Sequence, residues 1–159
     1  MECLYVGRKD RRKGFAVMME AWKKVKEQIP HAELRCLTEG DLSDQELRIY
    51  MRQADLIIVP SYLEGFSLVA AEAMCIGKTV LGCDSDGLRS LICHDKTGWL
   101  VPSGDVKALH DAWVMLLKND ILRERFGLRA SRFMREQFNR SIAENELVVE
   151  CYHGSSGSS

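Results

Sequence analysis

Two glutamates, Glu64 and Glu72, lie close together in the chain and occupy surroundings that suit ligand binding. Glu72 is the one charged residue in the otherwise apolar stretch 66–76, and a carboxylate is rarely buried without a partner because losing its water is costly. Glu64 follows the apolar run 56–59, which has the composition of a strand buried on both faces of a parallel sheet. Open α/β sheets bind ligands at the carboxyl ends of their strands. We therefore predict that the two glutamates flank one crevice.

Five cations surround one aspartate in the segment 8–13, between a predicted strand and a predicted helix. In a Rossmann-like crevice this is where phosphate meets a helix N-terminus. Lys9, Arg11 and Arg12 fit a solvated basic loop better than a binding site. The loop has no interleaved aromatic residues and no second basic stripe accompanies it, so nucleic-acid binding is disfavoured.

The stretch 60–77 reads P-S-x-x-E-G-F-S-L-V-x-x-E-A-M-x-x-G. It resembles the E-x7-E signature of retaining nucleotide-sugar glycosyltransferases of the GT-B architecture, most closely those of family 4. The resemblance covers about 4–152. Its other matching segments are Gly7-Arg8, Lys13-Gly14, Lys78-Thr79-Val80 and Thr97-Gly98-Trp99-Leu100-Val101-Pro102.

The resemblance implies roles for particular residues. The donor diphosphate would be held by Arg8, Lys13 and the helix start at Phe66-Ser67. Glu72 would bind the ribose hydroxyls. Glu64 would lie against the transferred sugar and stabilise positive charge while the glycosidic bond breaks with retention. Asp86 is a candidate contact to the donor sugar, although a helix-capping role is favoured for it.

No metal and no cofactor are expected at this site, because the two cations and the helix dipole can neutralise the departing diphosphate. The donor substrate would be a nucleoside diphosphate sugar. The resemblance implies an enzyme of the hexosyltransferase class. Because the acceptor-binding N-terminal domain of such enzymes is missing from this chain, the chain alone is expected to be inactive.

The predicted fold is an α/β, Rossmann-like three-layer domain with a mostly parallel sheet, the C-terminal half of a GT-B glycosyltransferase. One departure stands out: after the strand that ends at Leu37, about one helix-strand unit of the family pattern is missing, which leaves the nucleotide-base pocket undefined. Strands are predicted at 3–6, 32–37, 56–59, 78–82 and 97–101, and helices at 15–28, 43–54, 66–76, 85–92, 105–117, 121–137 and 141–152.

Length and composition predict one soluble globular domain over 1–152, followed by a linker-like tail at 153–159. Net charge is −1 and there is no apolar run long enough to span a bilayer, so a cytoplasmic location is expected, with peripheral membrane contact only through the missing half. The six cysteines are predicted to be buried free thiols. Trp113, Phe126, Phe133 and the methionines are assigned to the core, and no histidine is given a catalytic role.

Three other classes stay open. Half of a sugar-nucleotide epimerase would share this architecture, and so would a degenerate nucleotide-binding module, which the shortened base region favours. A response-regulator-like receiver domain is also a single α/β domain, but it requires an early acidic cluster where this chain has cations.

Overall fold

The computed structural model describes residues 1–10, 14–38, 40–62 and 67–155, without the side chains from 145 onward. The strands are β1 (Glu2–Val6), β2 (Glu33–Leu37), β3 (Leu56–Val59), β4 (Val80–Cys83) and β5 (Trp99–Val101). The helices are α1 (Phe15–Gln28), α2 (Asp44–Gln53), α3 (Leu68–Cys75), α4 (Asp86–Arg89), α5 (Val106–Leu117) and α6 (Asp120–Ser155).

The five strands form one parallel sheet in the order β2-β1-β3-β4-β5. The central strand is β3, and all four of its residues are buried, which confirms the prediction drawn from its apolar run. This is the 2-1-3-4-5 order of doubly wound sheets, and it also corresponds to the 3-2-1-4-5-6 arrangement without its outermost first strand. The predicted α/β architecture is confirmed.

Helices cover both faces of the sheet, so the domain has three layers. On one face α1 and α5 pack over Cys3, Tyr5 and Ile58. On the other, α2, α3 and α6 contribute residues to the cluster that contains Leu4 and Ile57. Neighbouring strand residues alternate between these two clusters because side chains of a strand point to opposite faces in turn.

Local signals in the sequence set several helix starts. Ser43 and Glu46 form the predicted capping box, in which each side chain accepts a hydrogen bond from the other residue's backbone N–H. Asp105 caps α5 by accepting from the Ala108 N–H at 2.9 Å. The bounds of α1 coincide with the predicted range.

The prediction of two separate helices after α5 is wrong. A single helix, α6, runs where two were predicted, because the stretch 138–141 contains neither glycine nor proline to end it, and the Ser141 hydroxyl donates within the helix to the Gln137 carbonyl. The same helix continues to Ser155, into the stretch predicted to be a linker-like tail. Residues 156–159 lie outside the described residues.

Two buried-residue predictions also need correction. The nearly continuous apolar composition of 66–76 predicts a helix packed on all sides, but in α3 Leu68 is 68% exposed and Cys75 is exposed as well. Cys93 is exposed too, so the thiols are free but not uniformly buried among the five described cysteines. Cys3 and Cys83 are buried. The assigned core aromatics Trp113 and Phe126 are fully buried, and Phe133 packs against the core from its edge.

Two glycines allow close backbone contacts that hold the layers together. A Cβ on Gly127 of α6 would lie 2.0 Å from the Gly77 carbonyl oxygen, so only glycine lets α6 approach the end of α3 this closely. Gly14 has a φ of 66°, and a Cβ there would lie 2.0 Å from the Pro60 carbonyl oxygen. Within the described part of the chain, no helix is both long and apolar enough to cross a membrane.

Candidate active site at the carboxyl edge of the sheet

The parallel sheet brings three loops to one edge. The chain leaves β1, β3 and β4 at their carboxyl ends, where a ligand crevice is expected in an open α/β sheet. The first two loops touch directly, because Gly14 at the start of α1 packs on the Pro60 carbonyl at the end of β3. The chain segments that follow β1 and β3 are therefore in contact through the backbone of Gly14 and Pro60, and a side chain at position 14 would not fit there.

The start of α3 forms one wall of this crevice. Ser67 is 2% exposed and caps the helix, its hydroxyl oxygen accepting from the Ala70 N–H at 3.1 Å. The first turn of α3 contains no acidic residue. The first N–H groups of a helix lack partners within the helix and carry partial positive charge, so this terminus suits an anion.

Glu72 lies on α3 beyond this first turn and is partly buried. Its Oε2 atom is fully buried and has no hydrogen-bond partner, the only side-chain oxygen or nitrogen of this kind in the described part of the chain. An unsatisfied buried polar group costs about 1–3 kcal/mol, and more when charged. Such an atom in a folded domain calls for an explanation, and a ligand that donates hydrogen bonds provides one.

Arg8 stands at the carboxyl end of β1 with its side chain exposed. The Tyr5 hydroxyl donates a hydrogen bond to the Arg8 carbonyl, which fixes the backbone at this position. The guanidinium makes no ion pair with any residue that the structure describes. It is therefore available for a phosphate on the same edge as α3.

Asp86 occupies the carboxyl end of β4, as predicted, but its carboxylate is already engaged. Its Oδ1 lies 2.8 Å from Arg89 Nη2, and Arg89 Nε lies 2.8 Å from Asp84 Oδ1. The helix cap predicted for Asp86 is instead made by Ser85, whose hydroxyl accepts from the Leu88 N–H. Asp86 is 94% exposed, so it could still turn toward a bound sugar.

Three predicted site residues lie outside the described residues: Lys13, Glu64 and Phe66. Gly14 directly follows Lys13, and Tyr62 and Ser67 are the nearest described residues on either side of the segment that contains Glu64 and Phe66. Arg8, Ser67 and Glu72 thus stand on the elements predicted for them.

Sequence reasoning missed two contributions to the site. The first is the contact of Gly14 with Pro60. The motif includes the glycine after Lys13, but it does not show which residue packs against that glycine. The bond from Tyr5 to the Arg8 carbonyl spans three residues across the strand end, and no pattern in the sequence points to it.

A cavity of about 680 Å³ lies beside this crevice, between α4, β5 and Phe133 of α6. It is lined mainly by apolar residues and by neither Arg8, Ser67 nor Glu72. A nucleotide requires polar partners, so we assign the candidate site to the crevice and not to this cavity. No three His, Cys, Asp or Glu side chains in the described ranges are grouped closely enough to hold a metal ion.

The fold is a doubly wound α/β domain, and Arg8 and Ser67 stand on the elements that leave the carboxyl ends of its strands. The chain belongs to the family described as glycosyl transferases group 1, whose family model matches residues 35–133. The matched range includes the carboxylate motif and the strands β3, β4 and β5. The suspected family is confirmed.

A curated relative supports the same assignment. Phosphatidyl-myo-inositol mannosyltransferase of Mycobacterium leprae is 31% identical over 91% of this chain and 44% of its own length. The chain therefore spans less than half of that relative. The alignment runs over 167 positions, more than the 159 residues of this chain, so the relative has positions without a counterpart here. The helix-strand unit expected to be missing after Leu37 stays a prediction.

Solved structures show the same fold. Sucrose-phosphate synthase of Thermosynechococcus elongatus superposes with a TM-score of 0.77 at 26% identity, covering 96% of this chain and 46% of that one. The C-terminal domain of a glycosyl transferase group 1 family protein of Francisella tularensis gives a TM-score of 0.75 at 19% identity and covers 86% of each chain. The second likeness concerns the fold alone, and it equates this chain with a single domain of the GT-B architecture.

Proposed function

We propose that this chain is the donor-binding half of a retaining glycosyltransferase that transfers a sugar from a nucleoside diphosphate sugar. The observation that carries the proposal is the buried, unpartnered Oε2 of Glu72, which lies on the helix whose N-terminus, capped by Ser67 and free of acidic residues, faces the carboxyl edge of the sheet. A carboxylate accepts hydrogen bonds from neighbouring hydroxyls, and a helix N-terminus attracts phosphate. A ribose joined to a diphosphate presents these two groups together.

The diphosphate would be bound from two sides. Arg8 supplies a planar fork of donors at the end of β1, and the first N–H groups of α3 point into the same edge. Lys13 adds a compact point charge in our proposal. Charge neutralisation by these groups would let the diphosphate depart without a metal ion or another cofactor.

Sugar transfer would take place next to Glu64. This carboxylate would orient the donor sugar and stabilise the positive charge that develops as the glycosidic bond breaks with retention. Phe66 and Ser67 would position the adjacent phosphate. Asp86 would reach the sugar only after exchanging its bond to Arg89 for one to a hydroxyl.

The acceptor would be bound by an N-terminal domain that this chain does not contain, since the chain covers 44% of the Mycobacterium leprae mannosyltransferase. The printed name of that relative specifies a lipid acceptor. Peripheral membrane contact of the complete protein would then occur through the missing domain, and we expect a cytoplasmic location.

Calorimetric titration with UDP, GDP and ADP beside their monophosphates tests the proposal. At least one diphosphate should bind more tightly than its monophosphate, and added salt should weaken it. Arg8→Ala should cost about 1.5–3 kcal/mol of diphosphate binding, as expected for a charge-assisted hydrogen bond. Lys24→Ala, on the exposed side of α1, is the matched control. Equal affinity for mono- and diphosphate in every pair would refute the proposal.

A degenerate nucleotide-binding module is the second candidate, because the sheet ends at β2 and the unit predicted to be missing beyond it would contribute to the base pocket. The two candidates differ in the complete protein. A transferase should glycosylate its acceptor when the N-terminal domain is present. This chain alone should show at most slow hydrolysis of the donor, because it cannot hold donor and acceptor in one geometry, an effect that can lower the barrier by roughly 7–11 kcal/mol. Diphosphate binding without any transfer by the longer protein would favour the module.

A further inference from the structure

The two edge strands, β5 and β2, differ in how their outward-facing backbone groups are hydrogen-bonded. At the β5 edge, Val101 faces β4, because its carbonyl accepts from the Asp84 N–H. Its neighbour Leu100 therefore faces outward, and the Leu100 N–H donates to His94 Nδ1 at 3.1 Å. The short β5 edge is thus closed by a side chain of the same domain.

The β2 edge is open in its middle. Glu33 donates to the Met1 carbonyl and Leu37 accepts from the Gly7 N–H, so odd-numbered residues of β2 face β1. The even-numbered residues face outward. Of these, Leu34 and Cys36 have no partner for their backbone N–H and C=O groups among the described residues.

The ends of this edge are occupied. Lys26 Nζ donates to the Ala32 carbonyl at 2.7 Å, and the Asp41 N–H donates to the Thr38 carbonyl. Four backbone groups, two donors and two acceptors, are therefore left in a row on each chain. None of the five residues of β2 is fully buried, although Leu34, Cys36 and Leu37 are apolar and pack against the core.

The sheet ends at this open edge. In the doubly wound order 3-2-1-4-5-6 a further strand lies beyond the position of β2, whereas here β2 is the outermost strand. The helix-strand unit predicted to be missing after Leu37 would supply that strand and its crossover helix, so its loss would leave the β2 edge uncovered.

We propose that the β2 edge binds a second copy of this chain by antiparallel β2–β2 pairing across a twofold axis at Arg35. In this register Leu34 lies opposite Cys36 of the second copy, and Cys36 lies opposite Leu34. Both are hydrogen-bonded pairs of an antiparallel ladder, so all four open groups of each chain are satisfied. The two five-stranded sheets become one continuous sheet, and the symmetry closes at a dimer.

Charge on the α2 side of the new seam is compatible with this register. The two Arg35 side chains lie opposite each other, which alone is unfavourable. Each one, however, is paired with its own Glu2 at 2.6 Å and lies over the Tyr50 ring. Glu33 of the other copy is its diagonal neighbour, about 7–8 Å away and within reach of a long side chain. Four carboxylates therefore surround the two guanidinium groups.

Sedimentation velocity over a range from low micromolar to several hundred micromolar chain tests the dimer. The wild-type chain should sediment as a reversible dimer at the upper end. Cys36→Pro removes the outward N–H of each copy without removing a bond to β1, and should weaken association by about tenfold or more. Cys36→Ser keeps the N–H and should dimerise as the wild type does. A monomer at every concentration, or equal association of the two variants, would overturn the proposal.

Cross-linking tests the register, also when a proline variant folds poorly. In a background with Cys36, Cys75, Cys93 and Cys151 each replaced by Ser, the remaining thiols of Cys3 and Cys83 are buried. In this background Arg35→Cys places a thiol opposite its own copy in a non-hydrogen-bonded pair, where the Cα atoms are about 4.5 Å apart and a disulfide can form. Glu33→Cys, in the same background, lies opposite Leu37 and should not cross-link. Mild oxidation should give a covalent dimer only with Arg35→Cys. Equal cross-linking at both positions, or none at position 35, contradicts the pairing.

Discussion

The substitution Glu72→Gln tests whether the Glu72 carboxylate binds a ligand or stabilises the fold. The substitution keeps the shape of the side chain and removes its charge. In the free protein, the Oε2 atom of Glu72 is buried without a partner. An unsatisfied buried acceptor costs about 1–3 kcal/mol, and the cost is larger for a charge. Because Glu72 is only partly buried, we expect the free energy of unfolding to stay the same or to rise by about 1 kcal/mol.

Nucleotide binding should change in the opposite direction. Losing a charge-assisted contact to the ribose costs about 1.5–3 kcal/mol of binding free energy, which raises the dissociation constant roughly tenfold to hundredfold. Removing the 2′-hydroxyl from the ligand tests the same contact from the other side. The wild type should bind a ribonucleoside diphosphate more tightly than its 2′-deoxy form, and Glu72→Gln should lose most of this preference.

The assay combines urea denaturation of the free chain with calorimetric titration of both nucleotides. Glu27→Gln, which makes the same chemical change at an exposed position of α1, is the control and should alter neither quantity. A large loss of stability in Glu72→Gln with unchanged nucleotide affinity would make Glu72 structural. An unchanged ribose preference in the variant would refute the ribose assignment even if overall affinity fell.

Three further predictions concern the fold. Gly127→Ala should lower the free energy of unfolding by about 1–3 kcal/mol in urea denaturation, because a Cβ there would lie 2.0 Å from the Gly77 carbonyl oxygen, and no loss would contradict this close approach. The backbone N–H of Ser43 donates to the Glu46 carboxylate and lowers the pKa of Glu46 below its ordinary value of 4.5. The stability of the wild type relative to Glu46→Gln should therefore be present above pH 4.5 and should be lost as the pH falls through the lowered pKa. A stability difference that persists in acid would argue against the capping box. In thiol titration of the folded chain, exposed Cys93 should react quickly, whereas Cys83, whose pKa burial raises to about 11, should react only on unfolding, and fast reaction of both would contradict its burial.

Much of the fold could be predicted from local patterns. The run 56–59 had to be a central strand because it is apolar at every position, and Ser43 with Glu46 fixed the start of α2. These signals lie within a few residues of the feature they determine. The end of the chain was harder, because one long helix and two helices with a polar break share the same periodicity. Only the absence of glycine and proline from 138–141 distinguishes them.

The site was predictable in its residue types but not in its contacts. Arg8, Ser67 and Glu72 stand on the loop and helix that the motif indicated. The bond that holds Asp86 on Arg89 depends on side-chain rotamers over one short helical turn, which spacing does not reveal. The packing of Gly14 on Pro60 joins segments far apart in sequence, so it follows only from the sheet order.

Amide spectra of the isotopically labelled chain, recorded during titration with the tightest-binding nucleoside diphosphate, test the central claim most directly. The account predicts the largest shifts at the carboxyl edge, at Arg8, Ser67 and Leu68. The polar pocket at the opposite edge, which contains Lys78 and Arg123, is a matched internal control, because its cations could also attract phosphate. It should be unaffected. Shifts confined to that amino edge, with none at Ser67, would contradict a donor site at the start of α3.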